Sequence, residues 1–338
     1  LMPAIKEIMR TLGTHAVVRS GVATLGRQIA DRSGAIILYG HRVSDDDAGY
    51  MQGLKPEWLD QQLAYLTRHF EVISLTTLVD ALHSGQAVPH RSAVLTFDDG
   101  FRDNYENAFP LLQKHRVPAT IFAVTGALTH GELPWSQRLG YVFQHTSTTQ
   151  LCHQLTGDAE LALNSPAARK AAYQRVKPAI SKMPREKRDQ AIAELARDLS
   201  VDAPRDRMMT WDQAREMQAA GIEIGAHTYS HPLLAEMSTD EALWEIETSR
   251  DDLRRELGVS RPSFCFPAGS LNAELLSRIP DLGFYCTFVP GQGIRINNGS
   301  SVGPYSLSRT GLPNAPAAYL EAELDGPFHA LRRLAGRT

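Results

Sequence analysis

The sequence predicts an α/β fold: a distorted (β/α) barrel of about seven parallel strands, closed or nearly closed, with a helical insertion. Three observations carry this reading. Short apolar runs of strand length recur along the chain, helical patterns with readable start and stop signals lie between them, and the stretch 146–206 breaks the alternation. Strands that alternate with helices are joined by crossovers, and crossovers impose parallel pairing.

Taken in order, residues 2–32 scatter apolar positions among Lys6, Arg10, Arg19 and Arg27. This is the pattern of one or two amphipathic helices, so 1–34 reads as an N-terminal helical segment and 35–338 as the barrel. The dispersed basic residues favour packing over anchoring at a membrane surface. The expected strands are 35–39, 70–75, 93–97, 119–124, 222–226, 263–266 and 284–288, all rich in Ile, Val and Phe. Pro56 opens a helix with Leu59, Leu63 and Leu66 on one face. Asp103 with Glu106 gives a capping-box-like start; Thr210 with Gln213 and Ser238 with Glu241 give two more, stopped by Gly221 and Gly258. Within 146–206 no strand is read; Ser165-Pro166 starts a helix, and Ile192, Leu195, Ala196 and Leu199 fall at helical spacing.

Composition narrows the function classes. Among 338 residues, 35 Lys and Arg against 38 Asp and Glu leave a formal charge of −3, which gives no basis for a nucleic-acid partner. With 43% hydrophobic and 22% charged residues, the chain has the balance of a soluble globular protein. No apolar run reaches the roughly 18 residues of a transmembrane segment. The N-terminal stretch lacks an apolar core ahead of a small-residue cleavage site, so the expected location is cytoplasmic. The oligomeric state stays open. Cys152, Cys265 and Cys286 are too scattered for a disulfide framework or a thiolate metal site, so any metal must be held by His and carboxylate.

Two segments can do chemistry, and each follows an expected strand. Thr96-Phe97-Asp98-Asp99-Gly100 puts adjacent carboxylates at a strand end, pointing in different directions, so that one can bind a metal while the other takes a proton. His227-Thr228-Tyr229-Ser230-His231 puts two imidazoles four apart in a tight turn that Pro232 keeps from continuing as a helix. Alone, the first is most often a mere turn and the second a chance spacing. The helical zinc-protease pattern fails, because Thr228 stands where its glutamate belongs. Their conjunction after parallel strands, whose ends share one rim, is what counts: Asp99, His227 and His231 would supply three metal ligands and leave positions open for water.

With these motifs the chain resembles the polysaccharide deacetylases of carbohydrate esterase family 4, over residues of about 35–312 outside the insertion. The resemblance implies that Asp98 is the catalytic base and that Asp99, His227 and His231 hold a divalent metal, zinc by default, with other first-row ions open. A third family motif is matched by Phe264-Cys265-Phe266-Pro267-Ala268-Gly269, where the Ala268 backbone N–H would hold the oxyanion and Pro267 and Gly269 would flank the substrate. In the widespread form of the family the acid is a histidine near the C-terminus. Here His329 falls in an expected terminal helix. Instead Leu38-Tyr39-Gly40-His41-Arg42-Val43 resembles the first motif of the circularly permuted exopolysaccharide deacetylases, with Gly40 in place of a tyrosine, and makes His41 the acid. Arg261 lies too far before Pro267 to orient the base, which leaves Arg309 as the substitute. Trp135 is a candidate either for stacking on a sugar ring or for packing in the core or against the insertion, and Asp45-Asp46-Asp47 reads as a solvated turn.

The implied activity is metal-dependent removal of an N-acetyl group from an amino sugar of a glycan or glycan precursor. The alternatives are an amidohydrolase on a small non-sugar amide and an inactive glycan-binding relative. The cytoplasmic expectation favours a nucleotide- or lipid-linked precursor over a finished polymer.

Overall fold

The computed structural model describes residues 20–21, 23, 34–46, 48–156, 160–291, 296–299 and 303–326. The expected N-terminal helical segment lies almost wholly outside the described residues, as does His329. The strands are β1 (Ala35–Gly40), β2 (Glu71–Val72), β3 (Ser92–Asp99), β4 (Thr120–Ala123), β5 (Gln150–Leu151), β6 (Leu161–Ala162), β7 (Glu223–Ala226) and β8 (Arg309–Gly311). A parallel sheet runs in the order β7-β4-β3-β1-β8, with β2 paired to the start of β3. Every residue of β3 is buried, as a central parallel strand covered on both faces requires. The register pairs Tyr39 with Thr96 and Asp99 with Ala123, so the C-terminal ends of β1, β3, β4 and β7 lie side by side.

Three expected strands shrink. The run 70–75 yields only the two residues of β2, because Ser74 caps the helix Leu75–Ser84 by accepting from the Thr77 N–H. The runs 263–266 and 284–288 form no ladder. They contribute single parallel bridges, Ala226 to Phe264, Phe264 to Thr287, and Phe288 to Leu307. Pro262 and Pro267 bracket the first run, and neither can donate to a ladder. The continuous sheet therefore does not close; single bridges span the gap between β7 and β8, which returns to β1 through Ile37 and Arg309. Distortion is concentrated on that side.

The capping boxes at Thr210/Gln213 and Ser238/Glu241 are present. Asp103 does something else. Its carboxylate accepts from the Val43 N–H and the Arg42 Nε, both at 3.0 Å, and the chain after it winds as a single π-turn, Asn104–Ala108. A short polar residue before a helix satisfies the capping pattern, yet here a desolvated guanidinium from another loop is the better partner. The stretch 146–206 holds the helices Pro166–Ser181 and Arg185–Asp198, and also the antiparallel hairpin β5-β6, too short to show in the sequence. It builds a second core, with Tyr173, Val176, Ile180, Ile192 and Leu195 packed on Leu139 and Phe143 of the helix Trp135–His145. Among the described residues no helix is long and apolar enough to cross a membrane.

That helix also seats the turn Ala48–Tyr50 through a glycine contact. A Cβ on Gly140 would collide with the Gly49 carbonyl oxygen, and Gly49 itself has φ +67°. Gly140→Ala should therefore cost about 1–3 kcal/mol in denaturant unfolding, the usual range for overpacking. Unchanged stability would show that the turn can move away.

Candidate active site

Asp98, Asp99, His41, His227 and His231 are delivered by a strand end or by the turn after one. Ala268 comes from the turn after the Phe264 bridge, whereas Arg309 opens β8 and Trp135 opens a helix. Asp98 and Asp99 end β3 and are 3% and 0% exposed. Asp99 has φ +75°, a left-handed conformation that costs a non-glycine residue energy. Thr228 (φ +65°), His231 (φ +59°) and Ala268 (φ +52°) share this strain. Four such residues on one rim are a local signature of function, because strain persists only where the surroundings enforce it. The enforcement is visible in the histidine turn: the Thr228 Oγ accepts from the His231 N–H at 3.0 Å, and the Trp135 indole N–H donates to the His231 carbonyl at 2.8 Å.

Asp99, His227 and His231 converge, with one ligand atom of each within 4.8 Å of the others. His227 Nε2 and His231 Nε2 lie 3.5 and 3.2 Å from Asp99 Oδ1. The His227 Nδ1 is 2.8 Å from the Cys265 carbonyl. A carbonyl only accepts, so Nδ1 carries the proton and Nε2 keeps its lone pair for a ligand. Burial pushes the His227 pKa down to about 4, against the pull of Asp98 and Asp99, so the imidazole is neutral at pH 7. Burial would raise the Asp99 carboxyl, but His231, His41 and His227 hold it well below the usual carboxylate range. Both Asp99 oxygens are buried and accept no hydrogen bond among the described residues. A buried carboxylate with no donor, facing two imidazoles, fits a divalent cation, and the N,N,O donor set suits zinc.

Asp98 has a different partner. Arg309 grips it with Nη1 to Oδ1 at 2.7 Å and Nη2 to Oδ2 at 2.8 Å. The guanidinium lies 4.7 Å from the Tyr39 ring centre and 4.8 Å from that of Phe288. Burial alone would raise the Asp98 carboxyl; the Arg309 charge and hydrogen bonds, with His227 and His41, bring it below its ordinary value. His41 is half-buried, with Nε2 4.0 Å from Asp98 Oδ2. Its carbonyl accepts from the Asn104 Nδ2 at 2.7 Å, which ties the loop after β1 to the chain after β3. Arg261, set aside on sequence grounds, donates to the Phe284 carbonyl and the Tyr305 hydroxyl.

A cavity of about 550 Å³ opens over these groups, and Ala268 and Gly269 line it while Pro267 is buried in the turn behind them. Trp135 is not part of its wall. The indole is 4% exposed and sits under the guanidinium of Arg188, so the expectation of a sugar-stacking platform is corrected to a buried support for His231. Asp46, read as part of a solvated turn, pairs with Arg42 and Arg207. Sequence reasoning missed a support behind the histidine turn. Arg188, 2% exposed, donates to the Ser230 hydroxyl at 2.9 Å, and Glu245 accepts from the Ser230 N–H at 2.7 Å and from its hydroxyl. The available signal was a charge on an apolar stripe: Glu245 falls among Ala242, Ile246 and Leu253, and Arg188 among Ala191, Ile192 and Leu195.

A family model described as polysaccharide deacetylase matches residues 85–287. The poly-beta-1,6-N-acetyl-D-glucosamine N-deacetylase of Escherichia coli strain K12 is 30% identical over 105 residues, 30% of this chain and 16% of that enzyme. The enzyme of the same name from Staphylococcus aureus strain MSSA476 is 50% identical over 38 residues, 11% of this chain and 13% of that one. The chain thus spans only a minor part of the length of these curated relatives. The structure of Streptococcus pyogenes deacetylase PplD in complex with acetate superposes at a TM-score of 0.57 and 20% identity, covering 86% of this chain and 98% of that one. IcaB from Ammonifex degensii superposes at 0.56 and 17% identity, covering 87% and 97%. At these identities the structural likeness establishes the fold.

Trp135→Phe removes one hydrogen bond and little volume. It should cost about 1–3 kcal/mol by leaving the His231 carbonyl unsatisfied, and zinc titration should show weaker binding. Full stability with unchanged zinc affinity would mean that the indole does not hold the turn.

Proposed function

The chain belongs to the polysaccharide deacetylase family, and from that membership we propose that it removes the N-acetyl group from an amino sugar of a glycan, using a divalent ion held by Asp99, His227 and His231. One observation carries this reading: two adjacent buried carboxylates, of which Asp98 is neutralised by Arg309 and Asp99 is left facing two imidazoles. A divalent ion in that triad, zinc being the first choice, would polarise the acetyl carbonyl and acidify the attacking water.

The chain's own residues do the rest. Asp98, ionised at neutral pH, takes the proton of the attacking water. Arg309 occupies both carboxylate oxygens, but each keeps a lone pair for this purpose. The Arg309 fork also fixes which way that lone pair faces, and the stacked Tyr39 and Phe288 rings hold the fork. The Ala268 backbone N–H donates to the developing oxyanion, a role supported by its position at positive φ in the cavity lining. His41, on the cavity wall beside Asp98, protonates the departing amine. The glycan class rests on the family and on the curated relatives, which are named for poly-beta-1,6-N-acetyl-D-glucosamine.

Acetate release from N-acetylglucosamine oligomers by the zinc-loaded protein is the direct test. Turnover that a chelator abolishes and zinc restores supports the reading, whereas turnover indifferent to chelation contradicts it. Asp98→Asn should keep stoichiometric zinc while activity falls roughly 10²- to 10⁴-fold, and His227→Ala should lose both; equal zinc loss in the two variants would mean the carboxylate roles are shared. His41→Ala should retain zinc and lose a similar factor on sugar amides. It should lose much less on activated esters, whose leaving groups need no proton. An equal loss on both substrates would remove His41 as the acid.

A further inference from the structure

We propose that the helix Pro166–Ser181 forms a cationic wall of the catalytic cavity, and that the glycan taken there carries a negative charge close to the N-acetylated sugar. This deepens the deacetylase reading and rests on it. Tyr173 and Lys177, one helical turn apart on that helix, line the same cavity as His41, Asp98 and Asp99. The helix carries Arg169, Lys170, Arg175 and Lys177 and not a single Asp or Glu in 16 residues, within a chain whose formal net charge is −3.

A basic helix is ordinarily a solvated face. Here two of the four charges, Lys170 and Lys177, lie over tyrosine rings of the cavity wall, while Arg169 donates to the Leu163 carbonyl and Arg175 faces solvent. The Lys177 Nζ lies 5.5 Å from the Tyr173 ring centre and the Lys170 Nζ 5.9 Å from that of Tyr50, which also lines the cavity. The two tyrosine rings are themselves 5.1 Å apart. Among the described residues Lys177 pairs with no carboxylate. The acids of the cavity wall are Asp98, which Arg309 neutralises, and Asp99, which faces the imidazoles. Among the described residues Lys177 is therefore a cavity cation held over a tyrosine ring with no carboxylate partner.

The reaction gives this charge a consequence. Deacetylation turns a neutral amide into an ammonium, so on a neutral polymer the wall would only repel its own product. An anionic substituent beside the reacting sugar turns that cost into attraction, both for binding and for capture from solution. An ammonium is a point charge that suits a phosphate or a carboxylate alike. The shared chemistry is an anion next to an N-acetylated amino sugar, from a phosphodiester or from a uronic acid.

The test compares three N-acetylglucosamine oligomers of equal length: neutral, phosphodiester-bearing and uronate-bearing. With the zinc-loaded protein at low salt, one anionic oligomer should exceed the neutral one in kcat/KM by roughly tenfold or more, and the gap should shrink as salt is added. Whichever anion gains more identifies the source. Lys177→Gln should bring the anionic-to-neutral ratio toward one, and Lys177→Arg should restore most of it. Equal kcat/KM on all three oligomers, or a ratio untouched by Lys177→Gln, overturns the proposal. Calorimetric binding of the same oligomers to zinc-loaded Asp98→Asn keeps the two readings separable: if no oligomer is turned over, the deacetylase reading fails, while the preference for anions is still measured as a ratio of dissociation constants.

Discussion

Two carboxylates on consecutive residues cannot both be buried as bare charges. Desolvation of each ion costs several kcal/mol, and their mutual repulsion adds to it. The β3 end holds Asp98 and Asp99 at 3% and 0% exposure, so each needs its own counter-charge from elsewhere in the chain or from solution. Asp98 takes Arg309, brought by the strand on the far side of β1. Among the described residues Asp99 pairs with no Lys or Arg and is met by two imidazoles. The division of labour, with one carboxylate kept as a base and one reserved for a cation, follows from which neighbour reaches which side chain.

The rim is built to keep that division. Asp99, Thr228, His231 and Ala268 are held at positive φ, and such conformations survive only when packing and hydrogen bonds over-determine them. The supports are specific: Thr228 closes its own turn, Trp135 takes the His231 carbonyl, and Arg188 with Glu245 fixes Ser230 between them. Arg188 comes from the helix Arg185–Asp198, and Lys177 from the helix before it. The second core thus reaches the site twice, once behind the histidine turn and once across the cavity.

Much of this was legible in the sequence, for physical reasons. The strands β1, β3, β4 and β7 each centre on consecutive apolar residues, 36–38, 93–95, 121–123 and 224–226, because a parallel strand covered on both faces has no polar alternation to hide it. The two motifs stand out because their polar residues interrupt such runs at the C-terminal end. The bridges at Phe264 and Thr287 were not legible as such, since apolar content reports burial and not how many ladder bonds the flanking prolines permit. Asp103 fitted a capping pattern, but local spacing cannot see a guanidinium arriving from the loop after β1. Trp135 was readable as an aromatic near the site, yet whether its face meets a sugar or Arg188 is decided by packing. Arg188 and Glu245 carried a signal, a charge on an apolar stripe, that marks a buried polar network more reliably than it marks any function.

The central claim is that the two aspartates have separate counter-charges, an arginine for Asp98 and a divalent ion for Asp99. The most direct measurement is an anomalous difference map from crystals of the zinc-loaded protein, collected at the zinc edge. The account predicts one peak about 2.0–2.2 Å from an Asp99 oxygen and from Nε2 of both His227 and His231, with Arg309 still seated on Asp98. A peak ligated by Asp98, or an occupied site that leaves Asp99 without metal, would contradict it.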